Sequence, residues 1–284
     1  MPYMGSKSQI AKYIIDFLPF GKRFVDLFGG GGAMSHCAAL SGKYESVLYN
    51  ELNSVVADTF RRAINGEYAE GVFTPRWISR EEFHAKKDVD GYVRLCWSFG
   101  NDGRSYLFSR ELEAQKRPLF EAVVSGVLNN GVRALAPNFS GFSGQTIASL
   151  RKEIQKIMRQ QSLERLEQMQ SLERLERLER LERLEVSSAD YREYEPREGD
   201  VVYCDPPYEG TADYGEAFDH SAFYDWAASR QFPVWFSSYE ISDGRFAVVY
   251  QKQKRSLLNS AKSYLQKTEM LYANTAAQKI FFKQ

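Results

Sequence analysis

An acid, two prolines and an aromatic residue follow a run of β-favouring residues in the last third of the chain. Residues 201–204 (Val-Val-Tyr-Cys) predict a buried strand, and Asp205-Pro206-Pro207-Tyr208 comes directly after it. The prolines fix φ and carry no N–H group, so they end the strand and hold the Pro206 carbonyl in a rigid turn. Because ligands of open α/β sheets bind at the carboxyl ends of strands, we predict a ligand site at this turn.

These residue types suit a reaction at a planar aromatic amine, whose nitrogen lone pair is delocalised into the ring. The Asp205 carboxylate and the Pro206 carbonyl can accept the two amino hydrogens and draw the nitrogen towards tetrahedral geometry, which frees the lone pair. Tyr208 can stack on the ring, an interaction worth roughly 1–3 kcal/mol for a nucleic-acid base. The alternative is an ordinary strand-to-loop turn with a capping Asp, but the complete tetrapeptide after an apolar strand favours the chemical interpretation.

A glycine-rich loop near the start of the chain is the second candidate site. Residues 23–28 predict a strand, residues 29–32 are four glycines, and residues 33–40 predict a helix. This order is typical of a nucleotide-binding βαβ unit, because glycines allow close backbone approach and a helix N-terminus favours negative charge. The next predicted strand, 46–49, leads to Glu51, about 20 residues past the loop, where a ribose-binding acid belongs. The alternative for Glu51 is an acid at the N-terminus of the following helix, 54–64.

Residues 76–186 break the βαβ rhythm and are predicted to form an insert between the two parts of a catalytic domain, 1–75 and 187–284. The insert contains a glycine-rich loop with Asn101, Arg104 and Tyr106. Arginine can read a guanine edge and aromatic rings can stack on bases, so the loop is a candidate DNA contact. The alternative is a plain glycine turn between helices.

The insert ends in a low-complexity tract in which Leu-Glu-Arg repeats through residues 162–185. All three residues favour helices, and glutamates pair with arginines four positions later. A three-residue step spirals round the helix axis, so the tract predicts a solvated single helix rather than a coiled coil, and we interpret it as a spacer.

The rest of the chain predicts further sheet elements. Asp219 is expected to cap a helix at 220–229, and strands are expected at 233–237, 246–250, 269–273 and 279–282. A local basic patch could contact phosphates, although a solvated surface is the alternative. Its members are Lys252, Lys254, Arg255, Lys262 and Lys267.

Composition limits the class of protein. The chain has 284 residues, 43% of them hydrophobic, and a formal net charge of zero, so any attraction to DNA must come from a local patch. No apolar run is long enough to span a bilayer, and the N-terminus lacks the apolar core of a signal peptide. The three cysteines are far apart and the three histidines lack ligand spacing, so we expect a reduced, cytoplasmic protein without a metal site.

The order of these motifs matches one group of enzymes. The chain resembles the bacterial and phage DNA N6-adenine methyltransferases of the D12 class, in which a target-recognition insert precedes the catalytic motif. The resemblance covers nearly the whole chain apart from the Leu-Glu-Arg tract. It rests on residues 3–7 (Tyr-Met-Gly-Ser-Lys), 28–32 (Phe-Gly-Gly-Gly-Gly), 51–53 (Glu-Leu-Asn), 99–106 and 205–208.

The resemblance implies an α/β fold, with a Rossmann-like, mostly parallel sheet that has one reversed strand and helices on both faces, and a largely helical insert. It also implies S-adenosylmethionine as cofactor and double-stranded DNA as partner. The residues implied to contact the cofactor are Tyr3, Lys7, Asp26, Phe28, Gly30, Glu51 and Asp205, with Glu51 in place of the commoner aspartate. Asp205, Pro206 and Tyr208 are implied to hold a flipped adenine, and Asn101, Arg104 and Tyr106 to contact DNA.

The same residues fit two other functions. One is methyl transfer to cytosine N4 or to an RNA base, and the other is a non-catalytic DNA-binding relative. The motif order and the large insert favour DNA adenine, and the intact Asp205 and Tyr208 favour catalysis. Neither the recognition sequence nor a paired restriction enzyme follows from the sequence.

Overall fold

The computed structural model describes residues 1–69, 71–125, 130, 171, 174–175, 183–209, 218–257 and 264–281. The chain forms two compact units. The sheet unit comprises Gly5–Phe60 and Leu181–Gln284, and the helical unit comprises Met1–Met4 and Arg61–Arg180. Most of the Leu-Glu-Arg tract lies outside the described residues, and Lys252 is the member of the predicted basic patch whose side chain is described.

The sheet unit is built on a sheet that has seven strands within the described residues, in the order β3-β2-β1-β4-β5-β7-β6. The strands are β1 (Arg23–Asp26), β2 (Ser46–Asn50), β3 (Leu184–Ser187), β4 (Asp200–Cys204), β5 (Val234–Ser238), β6 (Ala247–Leu257) and β7 (Tyr264–Ala273). Among these strands β7 is the reversed one, antiparallel to β5 and β6, while the other neighbouring pairs are parallel. The mostly parallel sheet with one reversed strand is therefore confirmed.

Helices cover both faces of this sheet. They are α1 (Ala11–Phe17), α2 (Ala33–Leu40), the start of α3 (Ser54–Ile64), α7 (His220–Ser229) and α8 (Thr275–Phe281). Successive strand residues enter opposite cores: Tyr203 packs with residues of α1, α2 and α8, whereas Cys204 packs with residues of α7. Burial on both faces explains why the central strands are almost continuously apolar.

Asn50 holds the carboxyl ends of three strands in place. Its side-chain amide donates to the carbonyls of Leu27 (3.1 Å) and Ala189 (2.9 Å), and its oxygen accepts from the Ser187 hydroxyl at 2.7 Å. These residues lie at the ends of β1, β2 and β3, so one buried side chain aligns the edge of the sheet at which ligands bind in this architecture.

Two predicted elements are wrong. The sequence predicts a strand at 279–282, but Thr275–Phe281 is helix α8, because the Asn274 side chain accepts the Ala277 N–H at 2.9 Å and caps a new helix after β7. The repeat predicts that residues 184 and 185 end a helix, but they begin β3. Pairing of Leu184 with Val47 of β2 supplies sheet hydrogen bonds that override the helical propensity of Leu-Glu-Arg.

The helical unit contains α4 (Arg80–Lys86), α5 (Gly91–Cys96) and α6 (Arg110–Ser125). Ser79 and Asp90 cap α4 and α5 through their side-chain oxygens. The core of the unit is strongly aromatic and includes Trp97, which packs against Trp77 and Phe120. In the part of the chain that the structure describes, no helix is both long and apolar enough to cross a membrane.

Two residues of the Leu-Glu-Arg tract belong to the core of the helical unit. Leu175 is buried in the aromatic cluster, and the Ser171 hydroxyl accepts a hydrogen bond from the Asn101 amide at 2.9 Å. This part of the tract is therefore packed, which departs from the fully solvated spacer that the repeat predicts, because the leucines of the repeat provide apolar surface that a core can bury.

Candidate active site

The Asp-Pro-Pro-Tyr turn follows β4 directly and contacts the N-terminal segment, residues 5–10, which precedes α1. The Lys7 ammonium donates to Asp205 Oδ1 at 2.7 Å, and the Tyr208 hydroxyl donates to the same oxygen at 3.0 Å. The Lys7 side chain is only 6% exposed, and its nitrogen lies 4.6 Å from the centre of the Tyr208 ring. The structure thus brings Lys7, a predicted site residue from the start of the chain, into contact with Asp205 and Tyr208 of the turn.

A fourth side chain at this turn, Glu269 of β7, was missed by the sequence analysis. It is 3% exposed, accepts a hydrogen bond from Lys7 at 3.1 Å, and shares the single proton of the Tyr208 hydroxyl with Asp205 Oδ1. The sequence contains one weak indication of this role: Glu269 begins the apolar strand predicted at 269–273. A glutamate that is buried in such a strand is seldom without a partner of opposite charge. The sequence alone could not show which residue it pairs with.

Charge and burial act against each other in this cluster. Burial raises the pKa of Asp205, and Lys7 opposes this rise while Glu269 adds to it. Burial alone would lower the pKa of Lys7, but the two carboxylates together raise it, so Lys7 is a cation at neutral pH. Burial also raises the pKa of Tyr208 well above its usual value, which keeps its hydroxyl protonated and able to donate.

The other side of the turn is fixed from α7. The His220 imidazole Nε2 lies 2.8 Å from the Pro207 carbonyl, and Asp219 caps the helix by accepting the Ala222 N–H at 2.9 Å. The predicted helix and its cap are confirmed. The ring of Tyr239 meets the ring of Tyr208 edge to face at 4.7 Å, so the aromatic residue of the turn is also held.

The glycine loop after β1 is shaped by β2 and by Glu51. Glu51 accepts the Gly30 N–H at 2.9 Å, and the Tyr49 hydroxyl donates to the Gly30 carbonyl at 2.8 Å. A Cβ atom at Gly29 would lie 2.2 Å from the Tyr49 ring, so this position requires glycine for close approach. The loop is therefore a fixed backbone surface at the end of β1.

Glu51 does not cap the following helix. The cap of α3 is Asn53, whose side-chain oxygen accepts the Val55 N–H at 3.1 Å. Glu51 instead binds the N–H groups of Gly30 and Asn53 with its two oxygens. Its carboxylate therefore lies beside the glycine loop.

A comparison of the sequence with known protein families identifies the group of enzymes to which the chain is related. Residues 3–271 match the family described as D12 class N6 adenine-specific DNA methyltransferase. The chain belongs to this family. The resemblance inferred from the motifs is confirmed, and the protein is an adenine-specific DNA methyltransferase of a class that generally depends on S-adenosylmethionine. No curated protein matched the chain significantly.

Asp26 gives the methyltransferase a buried acceptor that fits a cationic ligand. It ends β1, beside β4, at the point where the strand order reverses, and it is 1% exposed. The Ser35 hydroxyl donates to Oδ2 at 2.7 Å, whereas Oδ1 has no hydrogen-bond partner among the described residues. Burial raises the pKa of Asp26 to about 7. An ammonium group, such as that of a bound amino acid moiety, would satisfy Oδ1 and favour the ionised form.

The remaining predicted cofactor residues lie in different surroundings. Phe28 packs edge to face with Phe218 and Phe223, at distances of 5.8 and 5.6 Å between ring centres. These contacts fix the residue that precedes the glycine loop. Tyr3 is partly buried and belongs to the helical unit. Within the described residues, no group of three or more His, Cys, Asp or Glu side chains is placed to hold a metal ion.

The three predicted DNA contacts lie in one loop of the helical unit but have different roles there. Tyr106 is 7% exposed and donates to the Ile78 carbonyl at 2.7 Å, so its ring is part of the core. Asn101 uses its amide to bind the Leu95 carbonyl at 2.7 Å and Ser171. Arg104 is exposed at the tip of the loop. In this conformation Arg104 is the predicted contact that is available to a ligand.

Proposed function

We propose that this methyltransferase modifies adenines within one short DNA sequence, with S-adenosylmethionine as the methyl donor and with Asp205, Pro206 and Tyr208 at the reacting base. The observation that carries this proposal is the Asp-Pro-Pro-Tyr turn after β4, held by Lys7 at 2.7 Å from Asp205. The turn lies at the same end of the sheet as the glycine loop and Asp26, as a reaction between a nucleotide-like cofactor and a base requires.

The residues after β1 and β2 fit S-adenosylmethionine. Asp26 Oδ1 can accept from its ammonium group, and the Gly30 backbone allows close approach. The Glu51 carboxylate lies beside the glycine loop, and we assign to it the ribose hydroxyls of the cofactor. Lys7, with Tyr3 and Phe28, completes the set of residues to which we assign cofactor binding. When bound, S-adenosylmethionine supplies a methyl group that is activated by its positively charged sulfur.

The chain's own contribution is to bind the base and to make its amino nitrogen nucleophilic. Extruding an adenine from the duplex costs a few kcal/mol in pairing and stacking. Tyr208 stacks on the base, and Asp205 and the Pro206 carbonyl accept the two amino hydrogens. Catalysis of this kind depends on position and on fixed charge, which a turn held from the N-terminal segment, β7 and α7 can provide.

We assign target recognition to the helical unit. Arg104 is exposed and can read a guanine edge, while Asn101 and Tyr106 support the loop that presents it. Replacement of Arg104 by alanine should raise KM for DNA, by a factor that corresponds to about 1–3 kcal/mol, and should relax specificity at one base. Steady-state kinetics on matched and single-mismatch duplexes would measure both effects. Arg110→Ala, at the exposed start of α6, is the matched control and should change neither.

The test of the proposed function is modification mapping. Methyl-free genomic DNA is incubated with the purified protein and S-adenosylmethionine, and modified bases are located by single-molecule sequencing. Methylated adenines in one short motif are the expected result, and Asp205→Ala should abolish them without unfolding the protein. Adenine methylation without a motif would refute sequence specificity, and modified cytosines or an active Asp205→Ala variant would refute the assigned chemistry.

A further inference from the structure

Four side-chain atoms form a closed ring at the catalytic turn. Lys7 Nζ contacts Asp205 Oδ1 at 2.7 Å and Glu269 Oε1 at 3.1 Å. The Tyr208 hydroxyl contacts the same two carboxylate oxygens, at 3.0 Å for Asp205. Each carboxylate therefore uses one oxygen in the ring, which leaves Asp205 Oδ2 for other partners.

The ring contains one more carboxylate than is needed to neutralise Lys7. Lys7 carries one positive charge, so Asp205 alone would neutralise it. A second carboxylate at 3% exposure adds a desolvation penalty and repels the first one. Glu269 instead fixes the positions of Lys7 and Tyr208, the two groups that bind Asp205.

We propose that Glu269 is a positioning residue for methyl transfer. It fixes Lys7 and Tyr208, and through them it turns Asp205 so that Oδ1 stays in the ring and Oδ2 is presented to the amino group of the base. The inference rests on the roles proposed above for Asp205 and Tyr208, and it adds a residue from the reversed strand to the catalytic turn.

Glu269 should also leave a signature in the pH dependence of the reaction. Charged and titratable groups face Asp205 from several elements: Lys7 from the N-terminal segment, Tyr208 from the turn, Asp26 from β1, Tyr239 from the end of β5 and Glu269 from β7. Asp205 must be ionised to accept an amino hydrogen, so activity falls as the pH drops through its pKa. The negative charge of Glu269 raises that pKa. Glu269→Gln removes the charge and should move the acidic limb of the kcat/KM profile to lower pH.

The test compares two substitutions with one control. Glu269→Ala removes both ring contacts and should lower kcat by about 100-fold, the typical effect of a small misplacement, with little change in KM for DNA or cofactor. Glu269→Gln keeps an acceptor oxygen and should restore most of kcat while shifting the acidic limb. Asp243→Asn, which disrupts the Asp243–Arg245 ion pair of the same unit, should change neither quantity.

The outcomes separate positioning from simple stability. Unchanged kcat in Glu269→Ala, or an unmoved acidic limb in Glu269→Gln, would overturn the proposal. Both variants could also lose activity together with a lower melting temperature and a higher KM. That pattern reflects structural damage and would overturn the proposal as well. The wild-type enzyme is measured in the same assay, so an inactive wild type refutes the proposed function, whereas an active wild type with an equally active Glu269→Ala refutes only the role of Glu269.

Discussion

At the scale of single residues, Asp26 shows how a binding group can be kept at a cost to stability. It is buried, its Oδ1 has no hydrogen-bond partner among the described residues, and its pKa is raised to about 7. The folded protein therefore binds more protons than the unfolded chain between about pH 4 and pH 7. Stability should fall as the pH rises through this window, and the penalty should persist above it.

Replacement of Asp26 by asparagine tests this argument. The asparagine side chain would keep an acceptor for Ser35 and carry no charge, so the variant should be more stable than the wild type at pH 8, by up to about 4 kcal/mol, and nearly equal to it at pH 4. Binding of S-adenosylhomocysteine, measured by calorimetry, should weaken. Urea unfolding at the two pH values measures the stability change. Asp200→Asn provides a contrast: bonds from Arg23 and Tyr194 outweigh burial and lower the pKa of Asp200, so this variant should lose stability at pH 8.

At the scale of elements, the parts that were predictable from the sequence are those whose pattern is local. The helices α2 and α3 and the strands β1, β2, β4 and β5 follow from apolar runs, glycines and prolines that lie in or beside each element. Glu269 could not be assigned, because its partners Lys7 and Tyr208 reach it only when β7 inserts between β5 and β6. Helix α8 was missed for a related reason, since its cap, Asn274, depends on tertiary bonds.

The Asn274 side chain, at the end of β7, connects this strand to α7, β5 and α8, and its replacement measures how much these bonds contribute to stability. Its oxygen accepts the N–H groups of Val234 and Ala277, and its amide donates to the carbonyls of Ala227 and Phe232. Asn274→Ala would leave these buried groups without partners and should cost on the order of 3 kcal/mol or more in the free energy of unfolding. Gln278→Ala, which removes one bond to the Ala273 carbonyl, should cost about 1 kcal/mol. Equal losses in urea unfolding would contradict the junction role.

At the scale of the whole molecule, each unit has its own core. The described residues of the aromatic cluster all belong to the helical unit, and the two cores of the sheet unit flank its sheet. Apart from Tyr3, the residues to which we assign catalysis and cofactor binding lie in the sheet unit, and the loop with Arg104 lies in the helical unit. Damage to the helical core should therefore affect DNA recognition more than cofactor binding.

Leu175 allows this separation to be tested within the repeat tract. It is buried in the aromatic cluster, one turn after Ser171, which accepts the Asn101 amide and so supports the loop that carries Arg104. Leu175→Ala should cost about 2–5 kcal/mol in the stability of the helical unit and raise KM for DNA, while calorimetric binding of S-adenosylhomocysteine stays unchanged. Val72→Ala, at an exposed apolar residue of the same unit, is the control. If Leu175→Ala left KM for DNA unchanged, the tract would act as a spacer, as its repeat alone predicts; if it abolished cofactor binding as well, the two units would not be separable in function.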